Sequence, residues 1–300
     1  MITPARRANT LDEMRAIRSR FDSAESMRRG LAYQARPTDV FIATYPKCGT
    51  TWLQQMLHCL RGGDMNFIEI TAVVPWLEMA YVMNIERIRP QSAEPKVFKT
   101  HLHHDQIPKG GRYVHMTRAP EDALVSMYHF HEGWFFEPGS ISLEAYALEL
   151  FLAGGRAGNY WQFQASWWPR RSDRDVLYLT YEHALADPRR TIERLATFVN
   201  IELDEALLAL TEERSTFSYM KCREHQFDDN LWQGATDALF RLPADSTSTK
   251  VRTGKAGEGK AHISEAVRDA LEREWVREIG DRFGLESYSM LCDVVLSETT

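Results

Sequence analysis

Val40-Phe41-Ile42-Ala43-Thr44-Tyr45-Pro46-Lys47-Cys48-Gly49-Thr50-Thr51-Trp52 decides the reading of this chain. Six apolar or β-favouring residues, 40–45, read as a buried strand. Trp52, Leu53, Met56, Leu57 and Leu60 then recur at helical spacing. Between them lies a short loop with one Gly, one Lys and two hydroxyls. Strand, tight loop and helix together form a phosphate-binding geometry, because loop N–H groups and the helix dipole converge on one point. Gly49 permits close backbone approach, Lys47 adds a cation, and Thr50 and Thr51 add donors. The order differs from the ATPase pattern GxxxxGK[ST], since Lys47 precedes Gly49 and position 43 is Ala43. Cys48 suggests a phosphatase loop, but the Arg that such a loop needs six residues later is absent, and Gln54 stands there.

Outward from this loop, short apolar runs alternate with helical patterns, which predicts a parallel sheet built from βα units. Residues 96–100, 112–117 and 176–180 read as further strands. Pro120 opens a helix after the third strand. Asp187-Pro188 opens another that runs to about Val199, and Ser264 caps a late amphipathic helix to Ile279. Residues 226–260 are polar, with little periodicity, and are expected to fold over the site as a lid.

The chain has 300 residues, 44% of them hydrophobic and 26% charged, enough to bury a large core without disulfides. Eight Trp, fourteen Phe and eleven Tyr exclude a mainly disordered chain. Lys plus Arg number 36 against 42 Asp plus Glu, a net charge of −6, which argues against a general nucleic-acid binder. A local basic pocket for a small anion remains compatible with it. Cys48, Cys59, Cys222 and Cys292 form no CxxC pair and read as reduced thiols. Met1–Gly30 has no apolar core of a signal peptide, and residues 70–85 are too short and polar to span a bilayer. The expectation is a soluble, cytoplasmic protein.

TYPKCGTTW resembles the 5′-phosphosulfate loop of the cytosolic sulfotransferases, TYPKSGTTW. The likeness continues in order along the chain. Lys99-Thr100-His101-Leu102 is similar to KTHLP. Tyr113–Phe130 is similar to the 3′-phosphate segment RNPKDVxVSxYHF, and Val176–Pro188 to LFYEDMKEDP. Ser215–Lys221 is similar to TSFxxMK. Arg252-Thr253-Gly254 with Gly257-Glu258-Gly259-Lys260 is similar to RKGxxGDWK. Together these segments cover about residues 35–280 of a single domain spanning 1–300.

The resemblance implies a single α/β domain with a central parallel sheet flanked by helices, similar to nucleotide kinases. It implies transfer of a sulfuryl group from 3′-phosphoadenosine 5′-phosphosulfate (PAPS) to a hydroxyl or amine, leaving adenosine 3′,5′-bisphosphate (PAP). No metal is expected, because His103 and His104 lack a carboxylate partner or HExxH spacing. His101 is the candidate general base, with an ordinary imidazole pKa of about 6.5. Lys47 and Lys99 are the candidate catalytic cations. By the same resemblance Lys47, Cys48, Gly49, Thr50, Thr51 and Trp52 bind the 5′ side of the donor. Arg118, Ser126, Arg252, Thr253 and Gly254 bind its 3′-phosphate. Trp52, Tyr181, Ser215, Thr216, Phe217 and Met220 surround the adenine. Val74–Leu77, Tyr81 and Trp134–Phe136 fall where the family builds its acceptor wall, which suits a small hydrophobic alcohol or phenol. Arg156, Arg170 and Arg171 read as surface charges.

Three departures matter. Cys48 stands for Ser. Thr253 stands for Lys, which removes one cation near the 3′-phosphate and leaves either weaker binding or compensation by Lys250 or Lys255. Gly259 stands for Trp, which questions the lid packing. Lys260–Asp269 departs from the dimer motif KxxxTVxxxE, leaving a monomer or a homodimer open, and the tail after Leu285 has no counterpart. Two other readings stay open here: a nucleotide-dependent phosphotransferase and a non-catalytic PAP-binding protein.

Overall fold

Four short runs rich in β-branched and aromatic residues form the strands of a computed structural model. It describes residues 6–21, 23–85, 91–154, 158–243, 245–246 and 248–298; Arg156 lies outside them. The strands are β1 (Val40–Thr44), β2 (Val97–Thr100), β3 (Arg112–Thr117) and β4 (Val176–Thr180). They pair in parallel in the order β2-β1-β3-β4. Burial on both faces explains why they read as near-continuous apolar runs. Along β1, Val40 and Ile42 face one core and Phe41 and Ala43 the other. Phe41 stacks between Phe98 and Tyr113, with ring centroids 5.5 and 5.7 Å away. On the opposite face Leu53, Met56, Leu57, Ile192 and Leu195 cover Val40, Ile42 and Val114.

The chain leaves β1 for β2 on one side and later returns to β3 on the other. The strand order therefore reverses direction at β1, and the crevice at the carboxyl end of β1 is where such sheets bind ligands. The loop 45–49 occupies that crevice.

Two helices at the start of the described chain are α1 (Leu11–Arg18) and α2 (Ala24–Leu31). Helix α3 (Thr50–Leu60) follows β1, and α4 (Pro120–His131) follows β3 with Pro120 in its first turn. Helix α5 (Pro188–Val199) is capped by the Asp187 side chain. The late helix begins as expected, with Ser264 accepting from the Val267 N–H, but only Glu265–Trp275 is α-helical and Val276–Gly280 widens into a π turn.

Within the segment expected to lack periodicity, Asn230–Phe240 forms helix α6. Trp232, Thr236 and Phe240, four residues apart, are its buried positions among the described side chains. The face was present in the chain but diluted by a threonine at its centre and by Gly234. The unmatched tail forms helix α7 (Tyr288–Ser297), with Leu291, Cys292 and Val295 buried. Its Tyr288 hydroxyl donates to Glu182 Oε2 at 2.6 Å, and Glu182 Oε1 accepts the Ala119 N–H at 3.0 Å. The tail thus braces the turn that carries Arg118. Arg170 and Arg171 pair with Asp173 and Glu298 at the surface. No helix among the described residues is long and apolar enough to cross a membrane.

Candidate active site

Tight turning of the loop after β1 puts two residues in the left-handed region, Lys47 at φ 70° and Gly49 at φ 91°. For Lys47 this is strained backbone of the kind that concentrates at functional sites. A Cβ on Gly49 would meet Met116 Sδ at 2.6 Å, so glycine is required there. The Cys48 side chain is fully buried and absent from the cavity lining, and burial pushes its thiol pKa up. Thr50 shares a 2.5 Å hydrogen bond with Thr44, which ties the start of α3 to the end of β1.

A cavity of about 1190 Å³ opens here. Single-ligand pockets are usually about 300–1,000 Å³, so this one has room for two reactants. His101 emerges directly after β2. Its Nδ1 lies 2.7 Å from the Thr44 carbonyl, which can only accept, so Nδ1 carries the proton and Nε2 is left as the basic nitrogen. Its backbone N–H donates to buried Glu78 at 2.8 Å, and Trp76 packs edge-on against the ring at 5.2 Å. Burial, with the nearby Lys99 charge, lowers the His101 pKa to about 3, so the ring is neutral.

Lys99 is buried beside it, its ammonium 3.2 Å from Asp229 Oδ1 and 4.5 Å above the Trp76 ring. Lys250 binds the same carboxylate oxygen. Lys47 lies 4.3 Å above the Phe130 ring. Burial, then repulsion by Lys250, lowers the Lys47 pKa to about 7. Burial lowers Lys99 to about 8 despite Asp229. For Asp229 burial acts upward, but Lys250 and Lys99 hold its carboxyl well below the usual range. The site is therefore a desolvated cationic pocket that gains from an incoming anion.

Arg118 forms the second basic corner. Its guanidinium lies 4.4 Å from the Tyr181 ring centroid, donates to the Lys255 carbonyl at 2.7 Å and approaches Asp122 at 3.4 Å. The Nε atoms of Arg118 and Arg252 are buried without a partner. Two orphaned guanidinium donors in one cavity fit a phosphate that each can still bind. Ser126 lines the cavity, and its hydroxyl has no back-bond to the preceding turn among the described residues. Gly254, at φ 67°, packs under Phe217, where a Cβ would lie 2.5 Å from the ring. Thr253 lines the same wall.

The substitution at Gly259 has a structural counterpart. A Cβ there would lie 2.5 Å from the Glu121 backbone carbon, so the lid lies directly on the start of α4. Asp122 holds it, accepting from the Gly257 and Gly259 N–H groups at 2.7 and 2.6 Å. Of the two compensating lysines, Lys255 pairs with Glu258 at the surface and Lys250 turns to Asp229.

Trp52 and Tyr181 meet edge to face at 5.7 Å, and the Trp52 indole donates to the Ser215 carbonyl at 2.8 Å. The Ser215 hydroxyl donates to Thr211 at 2.6 Å, and Thr216 caps the helix Phe217–Cys222. Both hydroxyls already make bonds within the protein. Phe217, 43% exposed, and buried Met220 complete this wall.

Past His101 the cavity becomes apolar. Of the expected acceptor wall, Trp76, Trp134 and Phe135 line it. Val74, Leu77 and Phe136 are buried in the core instead, and Tyr81 holds Arg29 at 3.8 Å away from the cavity. Phe21 and Met27, from the α1–α2 region, Met127 and Phe130 of α4, and Trp232 and Phe240 of the lid helix line it as well. Phe21 packs against Trp232 at 4.9 Å. Sequence reading missed these contributors, although Met14, Ile17 and Phe21 already showed helical spacing. It also missed Asp122 and Asp229. Among the described residues no group of three His, Cys, Asp or Glu could hold a metal ion.

Comparison with known proteins agrees with this geometry. A family model described as the sulfotransferase domain matches residues 37–281. Sulfotransferase 1B1 of Mus musculus is 34% identical over 246 residues, covering 77% of this chain and 79% of that protein. Sulfotransferase 1B1 of Canis lupus familiaris is 30% identical over 261 residues, covering 82% and 85%. The solved structure of mouse sulfotransferase SULT7A1 complexed with PAP matches with a TM-score of 0.67 at 21% identity, covering 93% of this chain and 94% of that one. Retinol dehydratase in complex with androsterone and inactive cofactor PAP matches with a TM-score of 0.66 at 22% identity, covering 89% and 86%. At these identities the structural likeness is one of fold. The chain belongs to the sulfotransferase family and is a transferase.

Proposed function

We propose that this chain transfers a sulfuryl group from PAPS to the hydroxyl, or amine, of a small hydrophobic acceptor. The observation that carries the reading is His101. It is a neutral imidazole with Nε2 free, seated where a pocket of lysines and arginines meets an apolar one. When bound, PAPS supplies the activated sulfuryl group. His101 Nε2 takes the acceptor's proton as the acceptor oxygen becomes nucleophilic, and the Thr44 carbonyl keeps the ring oriented. Lys47 and Lys99 place ammonium groups where negative charge accumulates on the departing phosphate and the transferring group. A polyanionic donor also offsets Lys99 and Lys250, which raises the basicity of His101 from its depressed value.

Lys47, Gly49, Thr50, Thr51 and the Cys48 backbone suit the 5′ side of the donor. Arg118, Ser126, Arg252, Thr253 and Gly254 suit a 3′-phosphate, supported by the two unpartnered guanidinium donors. Trp52, Tyr181, Phe217 and Met220, with the backbone of Ser215 and Thr216, suit adenine. Trp76, Trp134, Phe135, Phe21 and Phe240 suit the acceptor's apolar body. Residues 226–260 act as the lid of a single domain spanning 1–300, and the four unpaired thiols suit a reducing, cytoplasmic setting.

Titration calorimetry with PAP and with ADP tests the reading. PAP is expected to bind at least about tenfold tighter, because each charge-assisted hydrogen bond to the 3′-phosphate, which ADP lacks, contributes roughly 1.5–3 kcal/mol. Equal affinity, or no PAP binding, would overturn it in favour of a phosphotransferase or a degenerate site.

A further inference from the structure

A third ammonium sits in the transfer region. Lys250 lies in the lid, yet its side chain is only 10% exposed and its Nζ shares Asp229 Oδ1 with Lys99 Nζ. Asp229 stands at the N-terminal boundary of α6 but does not cap it. That duty falls to Glu69, whose Oε2 accepts the Leu231 N–H at 2.7 Å. Asp228 meanwhile accepts the Lys250 backbone N–H at 2.8 Å. The Asp229 carboxylate is thus released from the helix and committed to the two lysines. Asp228 and Glu69 lie within electrostatic reach, but among the described residues Asp229 is the acid that ion-pairs with these ammonium groups; it serves Lys99 and Lys250 at one oxygen, and Lys47 forms no ion pair.

The position of this cation is informative. Thr253, on the wall beside Arg252, has no charge, and Lys255 points outward to Glu258. Lys250 is held beside Lys99, within electrostatic reach of Lys47 and His101, and not at the Arg118 corner. Resting on the sulfotransferase reading, we propose that Lys250 is a further catalytic residue that contacts the transferring sulfuryl group, with Asp229 the positioning residue that aims it and Lys99 into the cavity. The family motifs assign neither residue. In this geometry a cation delivered by the lid completes the charge around the sulfuryl oxygens only when residues 248–254 lie across the site. Donor recognition and lid closure are then coupled through one side chain.

PAP and PAPS differ by the sulfuryl group alone, so their affinity ratio isolates the contact. We would measure both by calorimetry for the wild type, Lys250→Met, Lys250→Arg and Asp229→Asn, with circular dichroism to verify folding. Lys250→Met should leave PAP affinity within about threefold and weaken PAPS by about tenfold, the loss expected for one charge-assisted hydrogen bond. Lys250→Arg should recover part of the PAPS preference. Asp229→Asn should lower the PAPS-to-PAP ratio without matching loss of PAP affinity. Parallel losses of PAP and PAPS in Lys250→Met would make Lys250 a lid strut or a 3′-phosphate ligand and overturn the proposal, as would an unchanged ratio in a folded variant. A wild type that binds neither nucleotide would sink the sulfotransferase reading itself, and this proposal with it.

Discussion

The two ends of the cavity are built by different rules. At the charged end, Lys99 projects from the end of β2, and Lys47, His101 and Arg118 from the loops that leave adjacent strands of the same sheet. Neighbouring parallel strands bring their carboxyl ends together by hydrogen bonding, so few contacts set the geometry. At the apolar end, Phe21, Trp76, the adjacent pair Trp134 and Phe135, and Phe240 come from four separate segments of the chain. Trp76 is tied to β2 by backbone hydrogen bonds from Lys99 to Pro75 and from Leu77 to Lys99, whereas the others meet through side-chain packing: Phe21 on Trp232 and Phe240, and Phe135 on Phe240 at 5.2 Å. The difference suggests an end that tolerates little change and an end that can be re-lined.

The sharpest break should come from His101→Ala. Turnover is expected to fall by about 10²-fold or more, the usual loss for a general base, while PAP affinity stays within a few fold. Steady-state rates beside calorimetry check this, and unchanged turnover would remove His101 from the chemistry.

Gly259→Ala should act next. Its Cβ would press within 2.5 Å of backbone in α4 and lift the lid from Asp122. Overpacking costs about 1–3 kcal/mol, so PAP affinity should fall by about tenfold if the lid carries its part of the site. The same alanine at Gly234, which meets nothing within 4 Å, should be silent.

Protons sharpen the comparison further. Lys47, with a pKa of about 7, and Lys99, with about 8, sit below the ordinary lysine value. An anion favours their charged forms and raises both pKa values, so binding takes up protons near neutral pH. PAP affinity should therefore decline from pH 7 to pH 9 by about tenfold or more, since one pKa unit corresponds to about 1.36 kcal/mol. Calorimetry in buffers of different ionisation enthalpy would show the uptake. Proton release instead would contradict the charge assignment. Binding of an uncharged acceptor at the apolar end should lack this linkage.

The smallest effect belongs to that apolar end. Phe21→Ala, at a half-buried position outside every motif, should raise KM for a hydrophobic acceptor such as 2-naphthol by a few fold, as loss of roughly 0.5–1 kcal/mol of apolar contact implies. PAP affinity should not move. A shift in PAP affinity as large as that in KM would mean the two ends are not independent.

The contrast also explains what could be read early. The phosphate-type loop, the turn at Arg118-Ala119-Pro120 and the Lys99–His101 strand end are local: each pairs a strand terminus with a few adjacent residues, and spacing along the chain carries the geometry. The Cys48 thiol, the Ser215 and Thr216 hydroxyls and the Asp229 bridge were not legible in the same way. Whether a side chain faces the cavity, a helix end or the core depends on elements many residues away. Asp229 reaches Lys99 across 130 positions of sequence. The lid helix stayed hidden because Thr236 interrupts an otherwise aromatic stripe, and burial supplied by Phe21 outweighs the weak local preference.

Residue order alone was enough for the parallel α/β architecture, for the loop at 45–52 and for the residue types from which a group-transfer site is made. Strand periodicity and turn chemistry are short-range, and they survive in any chain that keeps the pattern. The tertiary structure decided the rest: which nitrogen of His101 is free, which of Lys250 and Lys255 enters the cavity, that Gly259 must be glycine, and which aromatics form the apolar wall. Those outcomes follow from desolvation and packing between distant segments, where a carboxylate turned from its own helix, or a Cβ 2.5 Å from backbone, outweighs any local propensity.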